Sequence, residues 1–377
     1  MSMSILFGMS TANAFGRGAE QQGRAPSMHR DVTMTQDDSG AGSPPRGTFV
    51  EVGGRCLALY RSGGGTPSVV FLPGGGAVGL DYLNVHERAA ELTTSVLYDR
   101  AGTGWSDSVG LPRTSTAVTD ELRDLLRVAN APAPYLLVGH SLGGLYARHY
   151  AIRFPDEVAG LLLLDPAHED YDAHMPAELN ELRRSNRFFR LMNVVVVAAL
   201  RTAPTRALLR RLPVVKRYRG LYRALFAEEM ASWPEHIRSE LVERHVSLEW
   251  LGAGLREASD IDRLYDEIRR AGPMPDVPLI VLCSTGTDGF REAVSSGESE
   301  SMLRDEIEGK RRLYTDLTNS VRRGEIRFVD AGHVTMHFRR PDSVLQGIQD
   351  LIGITAGEPR SVGSEVSVEQ GSSTDRP

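Results

Sequence analysis

The stretch YLLVGHSLGGLYARHYA, residues 135–151, places Ser141 between two glycines directly after a continuous apolar run. The segment YLLVG is typical of a strand buried on both faces, and the segment after Ser141 is typical of a helix. A chain that turns at once from strand to helix strains the residue at the turn and lifts its side chain clear of the sheet. Ser141 is therefore a candidate nucleophile, although a plain small turn residue has the same neighbours.

Short apolar runs recur on both sides of this stretch. Residues 48–62 alternate apolar and polar side chains about Gly53 and Gly54, which predicts a β-hairpin. The remaining runs are short and nearly continuous, as in strands of a parallel sheet covered by helices. They are SVVFL (68–72), SVLYD (95–99), YLLVG (135–139), GLLLLD (160–165), PLIVLC (278–283) and EIRFVD (325–330).

Helical patterns separate these runs. In TAVTDELRDLLRVAN the residues Val118, Leu122, Leu125 and Ala129 recur on one helical face. Alternating strands and helices predict an α/β fold with a doubly wound, mostly parallel sheet. The alternation is interrupted once, because residues 166–276 have helical patterns and no convincing strand.

These patterns predict a division of the chain into core, insertion and tails. Residues 47–165 and 277–356 form the α/β core. The segment 166–276 follows a strand's carboxyl end, where open α/β sheets bind ligands, so we interpret it as a helical lid. The segments 1–46 and 357–377 lack an apolar period and are predicted to be flexible tails.

Composition indicates a globular protein: 41% of the 377 residues are hydrophobic and 24% are charged. The net charge of −6 conceals an asymmetry, because residues 183–223 contain 12 Arg or Lys and no Asp or Glu. The rest of the chain therefore sums to −18. This separation favours a local basic surface and argues against a nucleic-acid-binding protein.

Targeting and redox signals are weak. The apolar patch near the start, with its A-x-A at residues 12–14, lacks the basic region of a secretory signal, and no apolar run is long enough to span a bilayer. We therefore expect a soluble, cytoplasmic protein. Cys56 and Cys283, both in strand-like segments, form neither a disulfide framework nor a zinc cluster, so core packing is the favoured interpretation.

A serine nucleophile needs a base, and the base needs an orienting acid. His333 follows the last predicted strand and should reach the sheet edge that carries Ser141; His337 is the second choice. Two carboxylates follow neighbouring strands. Asp288 is favoured as the acid over Asp165, but either could hold the imidazole, and each has an ordinary structural interpretation as a turn or cap residue.

The turn FLPGGGAVG, residues 71–79, could stabilise an oxyanion. Its three glycines allow the backbone to approach a substrate and direct N–H groups toward it. Gly75 is the best candidate beside the N–H of Leu142, with Gly74 and Gly76 as neighbours. A phosphate-binding loop is the alternative, but neither the P-loop nor the dinucleotide-binding pattern is present.

Together these motifs resemble the α/β-hydrolase superfamily over roughly residues 47–355. The resemblance rests on FLPGGGAVG, YDRAGTGWSD (98–107), LLVGHSLGG, LLLLDPAHED and DAGHVTMHFRRPDSV, in the family's order. It implies an α/β-hydrolase fold and a catalytic set, with no metal or other cofactor. That set is Ser141 as nucleophile, His333 as base, Asp288 or Asp165 as acid, and Gly75 with Leu142 as oxyanion donors. Asp99 and Arg100 match a motif that is usually structural.

The chain departs from the family pattern in three places. Pro73-Gly74 stands where His-Gly is common, the loop carrying Asp288 is one residue longer than usual, and the separation from Asp288 to His333 is long. In some relatives the acid follows the strand before the lid, which keeps Asp165 as a candidate.

The resemblance also bears on the chemistry. Haloalkane dehalogenases and epoxide hydrolases of this fold use Asp as nucleophile, so Ser141 argues against both. Hydrolysis of a small-molecule acyl ester through an acyl-enzyme is the favoured function. A thioesterase or acyltransferase is the alternative, and a non-catalytic ligand-binding protein is a third.

The predicted lid combines the basic run with an apolar segment, Phe188–Leu200, interrupted by Arg190 and Asn193. This segment is too short to span a membrane but could lie in an interface or line an acyl pocket. A plain helical cap with solvated arginines is favoured over contact with an anionic membrane. The sequence does not indicate an oligomeric state.

Overall fold

The computed structural model of the protein describes residues 43–185, 202–294 and 299–357. Most of the two predicted tails and the whole apolar segment Phe188–Leu200 lie outside the described residues.

Eight strands build one sheet, and every predicted run forms one of them. The bounds are β1 (Thr48–Val52), β2 (Arg55–Ser62), β3 (Ser68–Leu72), β4 (Ser95–Tyr98), β5 (Tyr135–His140), β6 (Val158–Leu164), β7 (Leu279–Ser284) and β8 (Gly324–Val329). Their order across the sheet is β1-β2-β4-β3-β5-β6-β7-β8. The β1–β2 and β2–β4 pairs are antiparallel and the others are parallel. The predicted α/β fold with a mostly parallel sheet is confirmed.

The helices follow the strands in the order that the sequence pattern predicts. They are α1 (Leu83–Ala90), α2 (Ser115–Val128), α3 (Leu142–Arg153), α4 (Tyr171–His174), α5 (Ala177–Ser185), α6 (Ala203–Leu209), α7 (Pro213–Glu229), α8 (Glu235–His245), α9 (Leu248–Glu257), α10 (Ile261–Ala271), α11 (Gly289–Val294), α12 (Glu300–Asn319), α13 (Met336–Arg339) and α14 (Pro341–Thr355). Two short 3₁₀ segments lie at Gly79–Tyr82 and Pro155–Glu157.

Two apolar clusters cover the two faces of the sheet. In β5, Leu137 belongs to the cluster that includes α2, α3 and α12, whereas Leu136 and Val138 belong to the one that includes α1 and α14. Alternate side chains of a central strand therefore enter different clusters, as expected for a strand buried on both faces. This explains why the run YLLVG is continuously apolar.

Helices α4–α10 lie in sequence between β6 and β7, and the described part of residues 166–276 contains no strand. The flanking strands are neighbours, since Leu161 pairs with Leu279. The chain thus leaves and re-enters the sheet at adjacent strands. Among the described residues, no helix is both long enough and apolar enough to cross a membrane.

Candidate active site

Ser141 occupies the sharp turn between β5 and α3. Its backbone has φ 52° and ψ −118°, a strained conformation for a residue other than glycine. A Cβ on Gly143 would lie 1.9 Å from the carbonyl oxygen of Leu72, and one on Gly139 would lie 2.7 Å from the carbonyl oxygen of Gly143. The two flanking glycines are therefore required by close backbone packing, and the turn directs the serine hydroxyl away from the sheet.

A hydrogen-bonded chain runs from Ser141 through His333 to Asp165. Nε2 of His333 lies 3.0 Å from Oγ of Ser141, and Nδ1 lies 2.6 Å from Oδ2 of Asp165. His333 lies in the loop between β8 and α13, and Asp165 follows β6 directly with φ 42°. Because these elements end at one edge of the sheet, three residues distant in sequence meet there.

Asp288, the acid favoured from sequence, does not contact the imidazole. Its Oδ2 accepts the backbone N–H of Val334 at 3.0 Å, and its Oδ1 accepts the backbone N–H of Arg291 at 2.8 Å. Both oxygens are therefore engaged by backbone donors, one of them the residue after His333. The structure corrects the sequence preference: Asp165 holds the ring of His333, and Asp288 holds the loop that carries it.

Asp165 is fully surrounded by donors. Nζ of Lys310 lies 3.0 Å from both of its carboxylate oxygens, and Oγ of Ser284 donates to Oδ2 at 2.8 Å. Burial by itself raises the pKa of Asp165, but the Lys310 ammonium and the hydrogen bond with His333 hold it well below its usual range. Asp165 is thus a carboxylate and accepts the Nδ1–H of His333.

The glycine turn after β3 offers one unused donor near Ser141. The N–H of Gly74 donates to Tyr82 Oη at 3.2 Å, and the N–H of Gly76 donates to Glu257 Oε2 at 3.1 Å. Within the described residues, neither the N–H of Gly75 nor that of Leu142 donates to a protein acceptor. Gly75 and Leu142 are the two candidate oxyanion donors named from sequence.

A buried ion pair connects this turn to the helical insertion. Nε of Arg100 lies 2.6 Å from Oε1 of Glu257, at the end of α9, and the two other guanidinium nitrogens donate to the carbonyl oxygens of Pro73 and Gly74. The backbones also meet, since a Cβ on Gly254 would lie 2.7 Å from Cα of Gly76. Arg100 therefore links the turn to the insertion.

A second network joins the turn to the His333 loop. His140 lies between Tyr82, whose hydroxyl is 2.7 Å from Nδ1, and the carbonyl oxygen of His333, 2.8 Å from Nε2. Burial lowers the pKa of His140 to about 3, so the ring is neutral, donates from Nε2 and accepts from Tyr82. His337, the second choice as base, stacks on Tyr82, and neither of its ring nitrogens has a hydrogen-bond partner among the described residues.

Five residues with close contacts to the site were not singled out from sequence: Tyr82, His140, Glu257, Ser284 and Lys310. Of the five, only His140 could have been associated with the site from sequence, since it directly precedes Ser141. The other four reach the site from elsewhere in the chain, and their local sequence does not indicate it.

One cluster of possible metal ligands occurs within the described ranges, formed by His168, Glu169 and Asp170. The two carboxylate oxygens of Glu169 already accept from Arg148 at 2.7 Å each. The Glu169 carboxylate of this cluster is therefore already engaged in an ion pair with Arg148. Within the described residues neither Cys56 nor Cys283 forms a disulfide; Cys56 is half-buried and Cys283 is buried in the core.

A family model described as "Alpha/beta hydrolase family" matches residues 69–346, well over half of the chain. The chain belongs to the alpha/beta hydrolase family. The matched range of this alpha/beta hydrolase includes Ser141, Asp165 and His333, together with the entire helical insertion.

Curated relatives match shorter stretches. This alpha/beta hydrolase is 36% identical to the human (Lyso)-N-acylphosphatidylethanolamine lipase over 104 residues, which cover 27% of this chain and 30% of the lipase. It is 28% identical to protein YbdG of Bacillus subtilis over 122 residues, 32% of this chain and 38% of that protein. The chain therefore spans less than two fifths of the length of either relative.

Solved structures support the fold. The enol-lactonase from Burkholderia xenovorans LB400 superposes with a TM-score of 0.52 at 19% identity, covering 81% of this chain and 99% of that one. At this identity the likeness concerns the fold of the alpha/beta hydrolase and not its substrate.

Proposed function

We propose that this alpha/beta hydrolase is a serine esterase that cleaves a carboxylic ester through an acyl-enzyme. The observation that carries the proposal is the continuous chain of contacts from Ser141 through His333 to Asp165. An ionised acid, a base and a hydroxyl in this order are what nucleophilic acyl transfer requires.

The proposed reaction has two halves. Oγ of Ser141 attacks the acyl carbon while Nε2 of His333 takes its proton, and the alcohol leaves with that proton. Water then attacks the acyl-enzyme, gives a proton to His333, and releases the acid as the proton returns to Ser141. Asp165 stabilises the imidazolium in both halves, and the N–H groups of Gly75 and Leu142 stabilise the oxyanion.

The acyl group is proposed to be small or medium, with the helical insertion acting as a lid. An ester is favoured over an amide because a leaving alkoxide asks less of the general acid. A thioesterase or acyltransferase would use the same residues and remains the alternative. A non-catalytic binding protein is disfavoured because Ser141, His333 and Asp165 lie in hydrogen-bonding contact.

A fluorophosphonate probe tests the nucleophile. The wild-type protein should become labelled and the Ser141→Ala variant should not, and only the wild type should hydrolyse aryl esters of increasing acyl length. Equal labelling of the two proteins would remove Ser141 from the mechanism. Labelling without turnover of any ester, with transfer to a thiol or alcohol acceptor, would favour the acyltransferase alternative.

Contact of the insertion with an anionic membrane also remains a proposal. Seven large apolar side chains are exposed among the described residues. Four of them lie in the last turn of α6, at the residue preceding α7, or in α7: Leu208, Leu212, Val214 and Leu221. Arg210, Arg211, Lys216 and Arg217 are interspersed with them, and none is paired with a carboxylate within the described ranges. Mixed apolar and basic surface supports interfacial binding.

Vesicle flotation tests this contact. The protein should float with vesicles of phosphatidylcholine and phosphatidylglycerol at low salt and be released by high salt, whereas Leu212→Ser/Val214→Ser should float less. The matched control is Leu92→Ser/Val128→Ser, which removes exposed apolar side chains elsewhere. If the wild-type protein does not float, membrane contact is excluded, and the insertion is a helical cap with solvated arginines.

A further inference from the structure

Lys310 is a buried lysine, and the hydrogen bonds of its ammonium group go to two residues, Asp165 and Ser284. Besides both oxygens of Asp165, Nζ lies 2.7 Å from Oγ of Ser284 and 3.2 Å from its carbonyl oxygen. A buried ion pair is weak support for stability, because apolar residues of similar size often stabilise as well or better. One member of this pair is the proposed acid, Asp165, which suggests a functional reason for the buried lysine.

The arrangement places three groups in series. Lys310 contacts Asp165, and Asp165 contacts Nδ1 of His333 through Oδ2. A carboxylate in contact with an ammonium has part of its charge neutralised, so it stabilises a neighbouring imidazolium less than a free carboxylate does. The ammonium also fixes the carboxylate plane, which directs Oδ2 at the ring.

We propose that Lys310 is a positioning residue that acts through Asp165: it directs Oδ2 at Nδ1 of His333 and limits how strongly the carboxylate stabilises the imidazolium. This inference rests on the proposed function, since it concerns the readiness of His333 to accept the proton of Ser141. Lys310 itself touches neither the nucleophile nor the base.

Other titratable groups face this series from the surrounding elements. On α12, Glu306 is paired with Arg291 at 2.7 Å and Tyr314 lies 3.4 Å from Asp165. Cys283 on β7 is neutral, because burial raises the pKa of its thiol to about 12. His140 and His337 face His333 and are held neutral by burial. Lys310 is thus the cation in direct contact with the acid.

The test is the pH profile of kcat/KM for an aryl ester in three variants. Lys310→Met removes the charge, and Lys310→Arg keeps it. Ser284→Ala is the matched control, since Ser284 donates to the same carboxylate but carries no charge. In Lys310→Met the acid limb should move to higher pH by about 1 unit, because the imidazolium is then stabilised more strongly. Lys310→Arg should restore the wild-type limb, and Ser284→Ala should move it much less.

Two outcomes would overturn the inference. An unmoved acid limb in Lys310→Met, with activity reduced only in proportion to lost stability, would make Lys310 merely structural. A shift of equal size in Ser284→Ala would assign the effect to packing and not to charge. If Lys310→Met does not fold, Lys310→Gln keeps a polar group at the site and is expected to show the same shift.

Fluorophosphonate labelling separates this inference from the proposed function. If wild-type Ser141 is labelled and its labelling rate has the same pH limb in all variants, only the role of Lys310 fails. If wild-type Ser141 is not labelled at any pH, the proposed function fails first.

Discussion

The ends of β6 and β7 carry two buried aspartates that serve the same loop in different ways. Asp165 follows β6 and contacts the ring of His333, whereas Asp288 lies four residues beyond β7 and contacts the backbone of Val334. A Cβ on Gly332 would lie 2.2 Å from Asp288 Oδ2, so this loop packs directly on that carboxylate. A position near the histidine loop therefore does not distinguish the two aspartates; the donors that each carboxylate accepts from do, and they support Asp165 as the proposed acid.

The largest expected effect comes from Asp165→Asn. An amide cannot stabilise the imidazolium as a carboxylate does and favours the wrong tautomer, so kcat should fall by about 10³ to 10⁴. The variant also leaves Lys310 buried without a charge partner, so its Tm is expected to fall.

A double variant separates these two effects of Asp165→Asn. Asp165→Asn/Lys310→Met should recover stability without recovering kcat, as measured by thermal unfolding and ester turnover. Near-wild-type kcat in the single variant would return Asp288 to consideration as the acid.

The next largest effect concerns Glu257, a buried carboxylate that does not contact the imidazole of His333. Glu257→Gln leaves Arg100 without its charge partner, and the free energy of unfolding should fall by about 3 to 5 kcal/mol, measured by urea denaturation. Glu243→Gln is the control, because its partner Arg223 is exposed and such pairs contribute about 0 to 1 kcal/mol. Equal losses in the two variants would contradict the importance of burial.

Asp288→Asn should decrease kcat less than Asp165→Asn does, and stability less than Glu257→Gln does. The amide keeps one oxygen acceptor and loses the other, so we expect about 1 to 2 kcal/mol of lost stability and a decrease in kcat of about tenfold. The acid limb of kcat/KM should not move. A loss of activity as large as that of Asp165→Asn would erase the distinction between the two aspartates.

Between pH 7 and pH 5, the free energy of unfolding should depend on buried histidines and not on Asp165. Burial lowers the pKa of His86 to about 4 and those of His140 and His168 to about 3. Between these values and about 6.5 the unfolded chain binds more protons, so stability falls as the pH decreases through this range. Each of these histidines should decrease the free energy of unfolding by about 1 to 2 kcal/mol at pH 5.

Thermal unfolding between pH 7 and pH 5 measures this dependence. His86→Gln should reduce the slope by the contribution of one histidine, whereas His236→Gln, at an exposed position, should leave it unchanged. Asp165→Asn should keep the wild-type slope, because the depressed pKa of that carboxylate contributes only below about 4. A flattened slope in Asp165→Asn would show that the acid titrates with the histidines.

The sheet and the meeting of Ser141 with His333 were predictable because local patterns determine both. Continuous apolar runs mark buried strands, and residues that follow parallel strands converge at one edge. The carboxylate that contacts His333 was not predictable, since Asp165 and Asp288 both follow strands at that edge. Hydrogen bonds from Val334 and Arg291 engage one of them, and no sequence pattern encodes those contacts. Lys310 and Glu257 were equally hidden, because each reaches the site from a distant helix.

The Arg100–Glu257 pair limits how this protein could be redesigned. The insertion leaves from β6 and returns at the neighbouring strand β7, and the entropy of closing a loop grows slowly with its length, so a chimaera with a different cap is sterically simple. Arg100 belongs to the core, however. A transplanted insertion with no carboxylate near Arg100 would leave its buried guanidinium without a charge partner beside the glycine turn. Grafts should therefore carry α9 with its glutamate, or replace both members of the pair together.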